Sequence, residues 1–577
     1  MAYRLGSVEV KLFYLKNNKS ILINNENRPI ENIVGTIDLR SESHKFLKSI
    51  ESFKNDDFTI EDIFYCDKVP MYIFIRPNIA FWIKNIISAI NIVDSIKEVG
   101  EIEEVATDDY YVNLVCTRIF NIKSTLEKGE SVDNTLSYKK EQVKRYIRGF
   151  KNYIKFKVGS RRKKNMIMFT QAASISKVSN REEYYDSKYG DLQQKLKEKF
   201  NILNLEYLHN KSFIKKSMEY NSDFVPFEFA IIMKKLLNDK LLNGRNIEDN
   251  FNKLSLFKYE VLNHDITELF IEFMNSTGKN ACISFLKEQL YLEKLMKKLR
   301  IEKCIVVDEG DRGRCFIASG NKLGIDTYAL QHGVISKGSY SYDVSLKKGE
   351  LVVPQTTFLW GEKFKDILLE NTNVYNTNNL CVVGQPRTDY LKIDKDNRKS
   401  LDKIKILFIS QYMDDLVYPA GNIMFKAISD MYSDFELIIK LHPSDNKYGE
   451  YYNREIDRLN LNEKCKIAGD EDLYELLYWS DLVISVHSTV IMEATILNKP
   501  SICIRLDKYD DVCNFVGDKI SLGARNSEEL KVILESYDSS FNEDYFKGLE
   551  EYVWYNFYKI DGNVSERMMG KIIKDQR

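Results

Sequence analysis

The chain has 577 residues, 44% of them hydrophobic, and carries 84 Lys and Arg against 85 Asp and Glu. That length exceeds one ordinary core and points to two or more domains, while the near cancellation of charge removes any global case for nucleic acid as a partner and moves attention to local patches. Nine cysteines stand singly at 66, 116, 282, 304, 315, 381, 465, 503 and 513, with no CxxC pair, the pattern of reduced structural thiols in a cytoplasmic protein.

The opening stretch MAYRLGSVEVKLFYLKNN lacks the basic-then-apolar order of a signal peptide. Residues 1–65 alternate short β-like runs with polar turns and suggest a small β-rich start. From Met71 the pattern predicts a strand, MYIFI, then Pro77, then an amphipathic helix, then a strand near Glu103–Ala106 followed by Thr107-Asp108-Asp109. The two most apolar long windows, Met71 to Ile96 and Asp481 to Leu497, are broken by Arg76 and Lys84 and by His487 and Glu493. Neither reads as a transmembrane helix, so a soluble or peripherally attached protein is expected.

Between Lys139 and Lys164 stand twelve Lys/Arg and one acidic residue, with Val143, Ile147, Phe150 and Ile154 at helical spacing. A helix over 139–164 of this kind suits an anionic membrane surface, apolar side down and basic flanks toward phosphates; a solvated basic helix packed on its own domain is the alternative. NMIMFTQAAS (165–174) reads as strand and loop. Residues 180–300 show apolar positions three and four apart and read as a helical insertion in the N-terminal domain.

Residues 304–335 form a predicted βαβ unit: an apolar run ending in Asp308-Glu309-Gly310, a short helix, and a second apolar run ending in Gln331-His332-Gly333. The polar stretch 394–403 reads as a linker. Beyond it, strand-like runs at 405–410, 435–445, 465–470, 482–486 and 500–506 alternate with helices, which implies a second parallel sheet. The domains expected are therefore 1–395 and 396–577.

In open parallel sheets ligands gather outside the carboxyl ends of the strands, and the polar clusters fall there. Transfer to a hydroxyl needs a base, and a carboxylate at a strand end can serve; Asp308 and Glu309 are such acids, unless they are only solvated loop residues. His332 is placed to bond a phosphate or to be satisfied by backbone. His442-Pro443 ends a strand where an imidazole can neutralise charge on a departing phosphate. His487-Ser488-Thr489 precede a helix, where hydroxyls and free N–H groups suit an anion or simply cap the helix. No P-loop, HExxH or metal-ligand cluster is present, so metal-free chemistry with no cofactor is expected.

The order DEG, QHG, VGQPRTD, strand-HP and SDLVISVHSTVIMEA resembles the two-Rossmann (GT-B) glycosyltransferases of bacterial surface polysaccharides. It is similar to the bacterial sialyltransferases in the acidic-acidic-Gly, HP and Ser/Thr motifs, and to the CDP-glycerol glycerophosphotransferases in HG, GxPRxD and HP. The resemblance covers about 300–505. It implies an α/β fold of GT-B type, two Rossmann-like domains facing a cleft, and an inverting glycosyltransferase that uses a nucleotide-sugar donor, with a CMP-linked acid sugar first. It implies a glycan or glycolipid acceptor, Asp308 as base with Glu309 beside it, and His332 at the donor phosphate or as the base of a glycerophosphate transfer. His442, Pro443, His487, Ser488 and Thr489 would hold the donor, with Glu493 on its ribose. Arg387 would reach a phosphate or pair with Asp389. The alternatives are a CDP-glycerol-type phosphotransferase and a non-hydrolysing nucleotide-sugar epimerase, and the expected location is cytoplasmic, peripheral on the inner face of the plasma membrane.

Overall fold

The computed structural model describes residues 9–15, 20–23, 26–29, 34–35, 37–55, 57–66, 68–99, 101–126, 136–159, 163–177, 184–220, 223–235, 247–346, 349–391, 403–442, 448–469 and 471–574. Two compact units share the chain. The first comprises Met1–Ala173, Leu196–Phe358 and Lys365–Cys381; the second comprises Ser174–Lys195, Leu359–Phe364 and Val382–Arg577. The second unit thus starts at Val382 rather than at 396, and it takes in two short segments from earlier in the chain. Of the stretch read as a linker, only Lys403 lies within the described residues, and it begins a strand.

The first unit contains a seven-stranded sheet in the order Phe224–Pro226, Phe200–Tyr207, Lys164–Gln171, Ile301–Val306, Asp326–Leu330, Thr356–Leu359, Leu380–Val382. The pairings from the first of these strands through Thr356–Leu359 are parallel. Met166–Phe169 and Cys304–Val307 are buried along their whole length, because crossover helices cover both faces and the central strands become continuous apolar runs. Taken in sequence order the strands run outward to one side from Lys164–Gln171 and to the other from Ile301–Val306, which makes the gap between those two carboxyl ends a topological switch point. A five-stranded mixed sheet, with Glu9–Leu15 parallel to Glu101–Thr107, belongs to the same unit.

The second unit repeats the pattern. Its six parallel strands lie in the order Cys465–Ala468, Asp434–Lys440, Lys403–Ile409, Leu482–Ser485, Ser501–Ile504, Leu522–Ala524. Leu407, Ile439, Val483 and Ile502 fill its core, each such side chain adding about 1.5–3 kcal/mol on burial. Here the switch point lies between Lys403–Ile409 and Leu482–Ser485. The protein is α/β, with two Rossmann-like parallel sheets, as the alternation of elements predicts.

Several local expectations are overturned. MYIFI is not a strand: residues Tyr72–Val99 form one helix with Pro77 inside it. A short apolar run reads equally as strand or buried helix, and here Met71–Ile75 are buried on every side. This helix is long and apolar enough to cross a membrane, the one such helix among the described residues, yet 61% of its most apolar window is buried inside the protein. The 180–300 stretch is not wholly helical: Phe200–Tyr207 is an inner strand of the seven-stranded sheet and Phe224–Pro226 its edge. Asp109 caps the helix Tyr110–Arg118 by accepting from the Tyr111 and Val112 amides.

The basic region forms a helix over Leu136–Gly159, and the strand Lys164–Gln171 follows. Its inner side is fastened to the sheet by Arg145, fully buried and 3.0 Å from Glu206, and by Asn152, which donates to the Phe224 carbonyl at 2.8 Å. Gly149 allows this approach, since a Cβ there would lie 2.0 Å from Pro226 Cδ. Gly149→Val is therefore expected to lower the thermal unfolding midpoint. Overpacking against a rigid proline ring costs about 1–3 kcal/mol, more than the few tenths by which valine exceeds glycine in helix propensity.

Candidate functional site

At the first unit's switch point a hydrogen bond joins the two diverging strand ends. Gln171, last residue of its strand, donates from Nε2 to Asp308 Oδ2, just past the neighbouring strand. The other Asp308 oxygen accepts from the Gly310 amide at 2.8 Å. Two glycines bring the following helix, Asp311–Lys322, onto this carboxylate: a Cβ at Gly313 would lie 2.1 Å from the Asp308 carbonyl oxygen, and one at Gly310 would lie 3.0 Å from Asp308 Oδ1. Asp308 is thus pinned at the carboxyl edge of the sheet. His209 follows the strand Phe200–Tyr207 and lies within electrostatic reach: burial lowers its pKa, while Asp308 acts in the opposite direction. From sequence His209 falls at no strand end; the misread strand is the reason.

Glu309 does a different job from its neighbour. It is fully buried; Thr357 Oγ1 donates to it at 2.6 Å, the Tyr375 hydroxyl donates to its other oxygen, and Arg314 Nη1 stands 3.8 Å away. A carboxylate so enclosed braces the turn after the strand, whereas the sequence suggested an acid open to the crevice beside Asp308. Burial pushes its pKa up, against the pull of Arg314 and the two hydroxyls. His332 is half-buried, its ring 6.4 Å from that of Tyr342. A Cβ at Gly333 would meet no described residue within 4 Å.

At the second switch point, Gln411 donates to Ser485 Oγ at 3.4 Å, joining the two diverging strand ends as Gln171 does in the first unit. The His442 ring lies 4.7 Å from that of Tyr412. His487 lies 5.7 Å from Tyr509, ring to ring; burial lowers its pKa, and its Nδ1 is buried with no hydrogen-bond partner among the described residues. Ser488 Oγ accepts from the Val490 amide at 3.3 Å, whereas Thr489 makes no side-chain cap and is exposed. The helix that follows is only Val490–Ile496, too short for its dipole to carry an anion site by itself. Pro443 lies outside the described residues. Lys440, on the strand before His442, donates to the Gly469 carbonyl.

The GQPRTD stretch is a clamp. Gly384 adopts φ +100°, where only glycine is at ease, and a Cβ would lie 2.9 Å from Val564. Arg387 does not pair with Asp389. Its Nη2 donates to Glu493, which also accepts from the Tyr474 hydroxyl at 2.5 Å. Burial opposes the Arg387 charge, and Glu493 beside it leaves the pKa raised. Asp389 instead accepts from the Val564 and Ser565 amides, 3.1 Å each, and caps the C-terminal helix Val564–Lys574. The acidic pairs Asp414-Asp415 and Asp507/Asp510 are ordinary too: Tyr448 and Tyr509 bind the first pair, and Arg505 and Arg525 hold Asp510.

Glu309 yields a pH-dependent prediction. Its folded pKa lies above the ordinary 4.5, so its contribution is fully present below 4.5 and is lost as pH rises through the folded value. In urea melts, wild type should lose stability relative to Glu309→Gln over that window, since the hydroxyls of Thr357 and Tyr375 can turn to accept from the amide. Glu309→Ala should cost about 3 kcal/mol by leaving Arg314 buried without a carboxylate.

Among solved structures, similarity is seen to S. aureus MnaA with UDP (15% identity, covering 71% of this chain and 96% of that one, TM-score 0.38). It is seen also to a glycosyltransferase from Rickettsia africae (14%, 72% and 98%, TM-score 0.37), and to UDP-GlcNAc 2-epimerase from Neisseria meningitidis bound to UDP-GlcNAc (12%, 71% and 100%, TM-score 0.42). Likeness at such TM-scores brings none of those activities to this chain. No curated protein matches the sequence. Residues 362–574, which include the whole six-stranded sheet and its switch-point loops, match the profile of the family described as CDP-Glycerol:Poly(glycerophosphate) glycerophosphotransferase.

Proposed function

We propose that the protein is a metal-independent transferase that moves a glycosyl or glycerophosphoryl group from a nucleotide-activated donor to a hydroxyl of a glycan or glycolipid acceptor in cell-surface polymer synthesis. The observation that carries this reading is the match of residues 362–574 to the glycerophosphotransferase family, over a parallel sheet with His442 and His487 just past the carboxyl ends of two of its strands. The same match favours a CDP-linked donor over the CMP-linked acid sugar expected from the DEG and Ser/Thr motifs.

In this reading the second unit binds the donor. His487, kept neutral by burial and holding an unpaired ring nitrogen, bonds a phosphate oxygen; His442 beside Tyr412 stabilises charge on the departing nucleotide. The Thr489 hydroxyl adds a donor. Glu493, fixed by Arg387 and Tyr474, positions the loop and is the acid closest in the chain to these groups that a ribose hydroxyl would meet. The first unit treats the acceptor: Asp308, oriented by Gln171 and Gly310, takes the hydroxyl proton as the oxygen attacks, and the bond to the nucleotide breaks in the same displacement, with inversion. His332 and His209 are the imidazoles available to share that proton. Nucleotide donors and nine free cysteines fit a location on the cytoplasmic side.

A thermal-shift screen with CMP, CDP, UDP and GDP tests the donor assignment. CDP or CMP at a hundred times its Kd should stabilise by about 2.7 kcal/mol, and His442→Ala should abolish the shift. If none of the four nucleotides raises the melting temperature, the reading is wrong. Asp308→Asn should keep the nucleotide shift while lowering turnover about 100-fold or more; full turnover in that variant would remove Asp308 as base.

A further inference from the structure

The outer side of the helix Leu136–Gly159 presents an apolar stripe that the fold leaves uncovered. Val143, Ile147, Phe150, Ile154 and Val158 follow one another at steps of four, three, four and four residues, and each is between 49% and 71% exposed. That spacing puts all five on one face. The opposite face is the one fastened to the sheet through Arg145, Asn152 and Gly149. The stripe is thus unpartnered on a helix firmly packed elsewhere, and no described residue covers it.

The apolar surface extends beyond the helix. Ile232 and Met233, on the neighbouring helix Glu228–Lys235, are about half exposed. Phe150 and Met233 both line a cavity of about 630 Å³, whose floor includes Phe229 and Leu295. Contiguous exposed apolar surface of this kind marks an interaction site.

Charge decides what covers it. The helix carries eight Lys/Arg and one acid, Glu141. Lys294 and Lys298, on the helix Lys279–Leu299, stand at the cavity and are exposed. Lys151, Lys294 and Lys298 pair with no carboxylate among the described residues. A second copy of the chain docked symmetrically would set this basic face against itself, which like charges oppose. An anionic lipid surface satisfies both features at once, taking apolar side chains into hydrocarbon and lysines at its phosphates.

We infer that the helix Leu136–Gly159, with the exposed tip of Glu228–Lys235, docks the protein on an anionic bilayer, the cavity beside Phe150 and Met233 receiving lipid hydrocarbon. The inference is independent of the transfer chemistry. The full chain should co-sediment with vesicles of phosphatidylcholine mixed with phosphatidylglycerol, weakly or not at all with phosphatidylcholine alone, and less at high salt. Ile147→Asp combined with Phe150→Asp should reduce binding about tenfold or more, as should Lys151→Glu combined with Lys298→Glu. All four side chains are exposed, so unchanged thermal melting and an unchanged nucleotide shift will separate loss of docking from loss of fold. Wild-type chain left in the supernatant with anionic vesicles would overturn the inference. So would a dimer in solution that dissociates on Ile147→Asp and Phe150→Asp, which would give the stripe to a second copy.

Discussion

The hydrogen bond from Gln171 to Asp308 is the contact on which the first unit's site depends. Parallel strands whose connections diverge leave a gap at their carboxyl ends, and side chains at its rim have no sheet partner to fix them. The bond closes the rim from both sides: one strand supplies the amide, the other the carboxylate, and the Gly310 amide takes up the second oxygen. Gln411 and Ser485 repeat the device in the second unit, across the gap between Lys403–Ile409 and Leu482–Ser485. In both units the bond joins the carboxyl ends of strands that diverge.

The acids and the motif residues separate into those that face outward and those that hold them. Asp308 and Glu309 are adjacent in sequence yet opposite in role, because successive residues leaving a strand point to different sides. One is bound at the sheet's edge; the other turns inward to Thr357, Tyr375 and Arg314. In GQPRTD both charged groups find partners inside the second unit: Arg387 on Glu493, Asp389 on the first amides of the C-terminal helix. A motif can recur because a fold needs it, and here the arginine reaches a carboxylate already present in the protein.

The central strands were legible because burial on both faces leaves long β-branched apolar runs, as in CIVV and LVISV. The strand Phe200–Tyr207 was hidden, since NILNLEY mixes asparagines with leucines and follows a helical run without a break. His209 was lost with it. The roles of Glu309 and Arg387 could not be read locally: their partners lie 48, 66 and 106 residues away, and only the folded chain brings them together. Gln171 carried a signal, an amide at the end of a predicted strand, but its neighbour in the sheet comes from more than a hundred residues later.

The second unit is assembled from three separate segments, with consequences for how it is made. Asp191 and Tyr185, in the earliest segment, meet Tyr390 through a 2.6 Å hydrogen bond and a ring contact at 4.2 Å. The ribosome must add 199 residues after Asp191 before Tyr390 exists, about 10–40 s at ordinary translation rates. For that time the segment waits without its partners from the rest of the second unit. The two units cannot mature one after the other along the growing chain, and a cut at any single peptide bond leaves at least one of them without a part of itself.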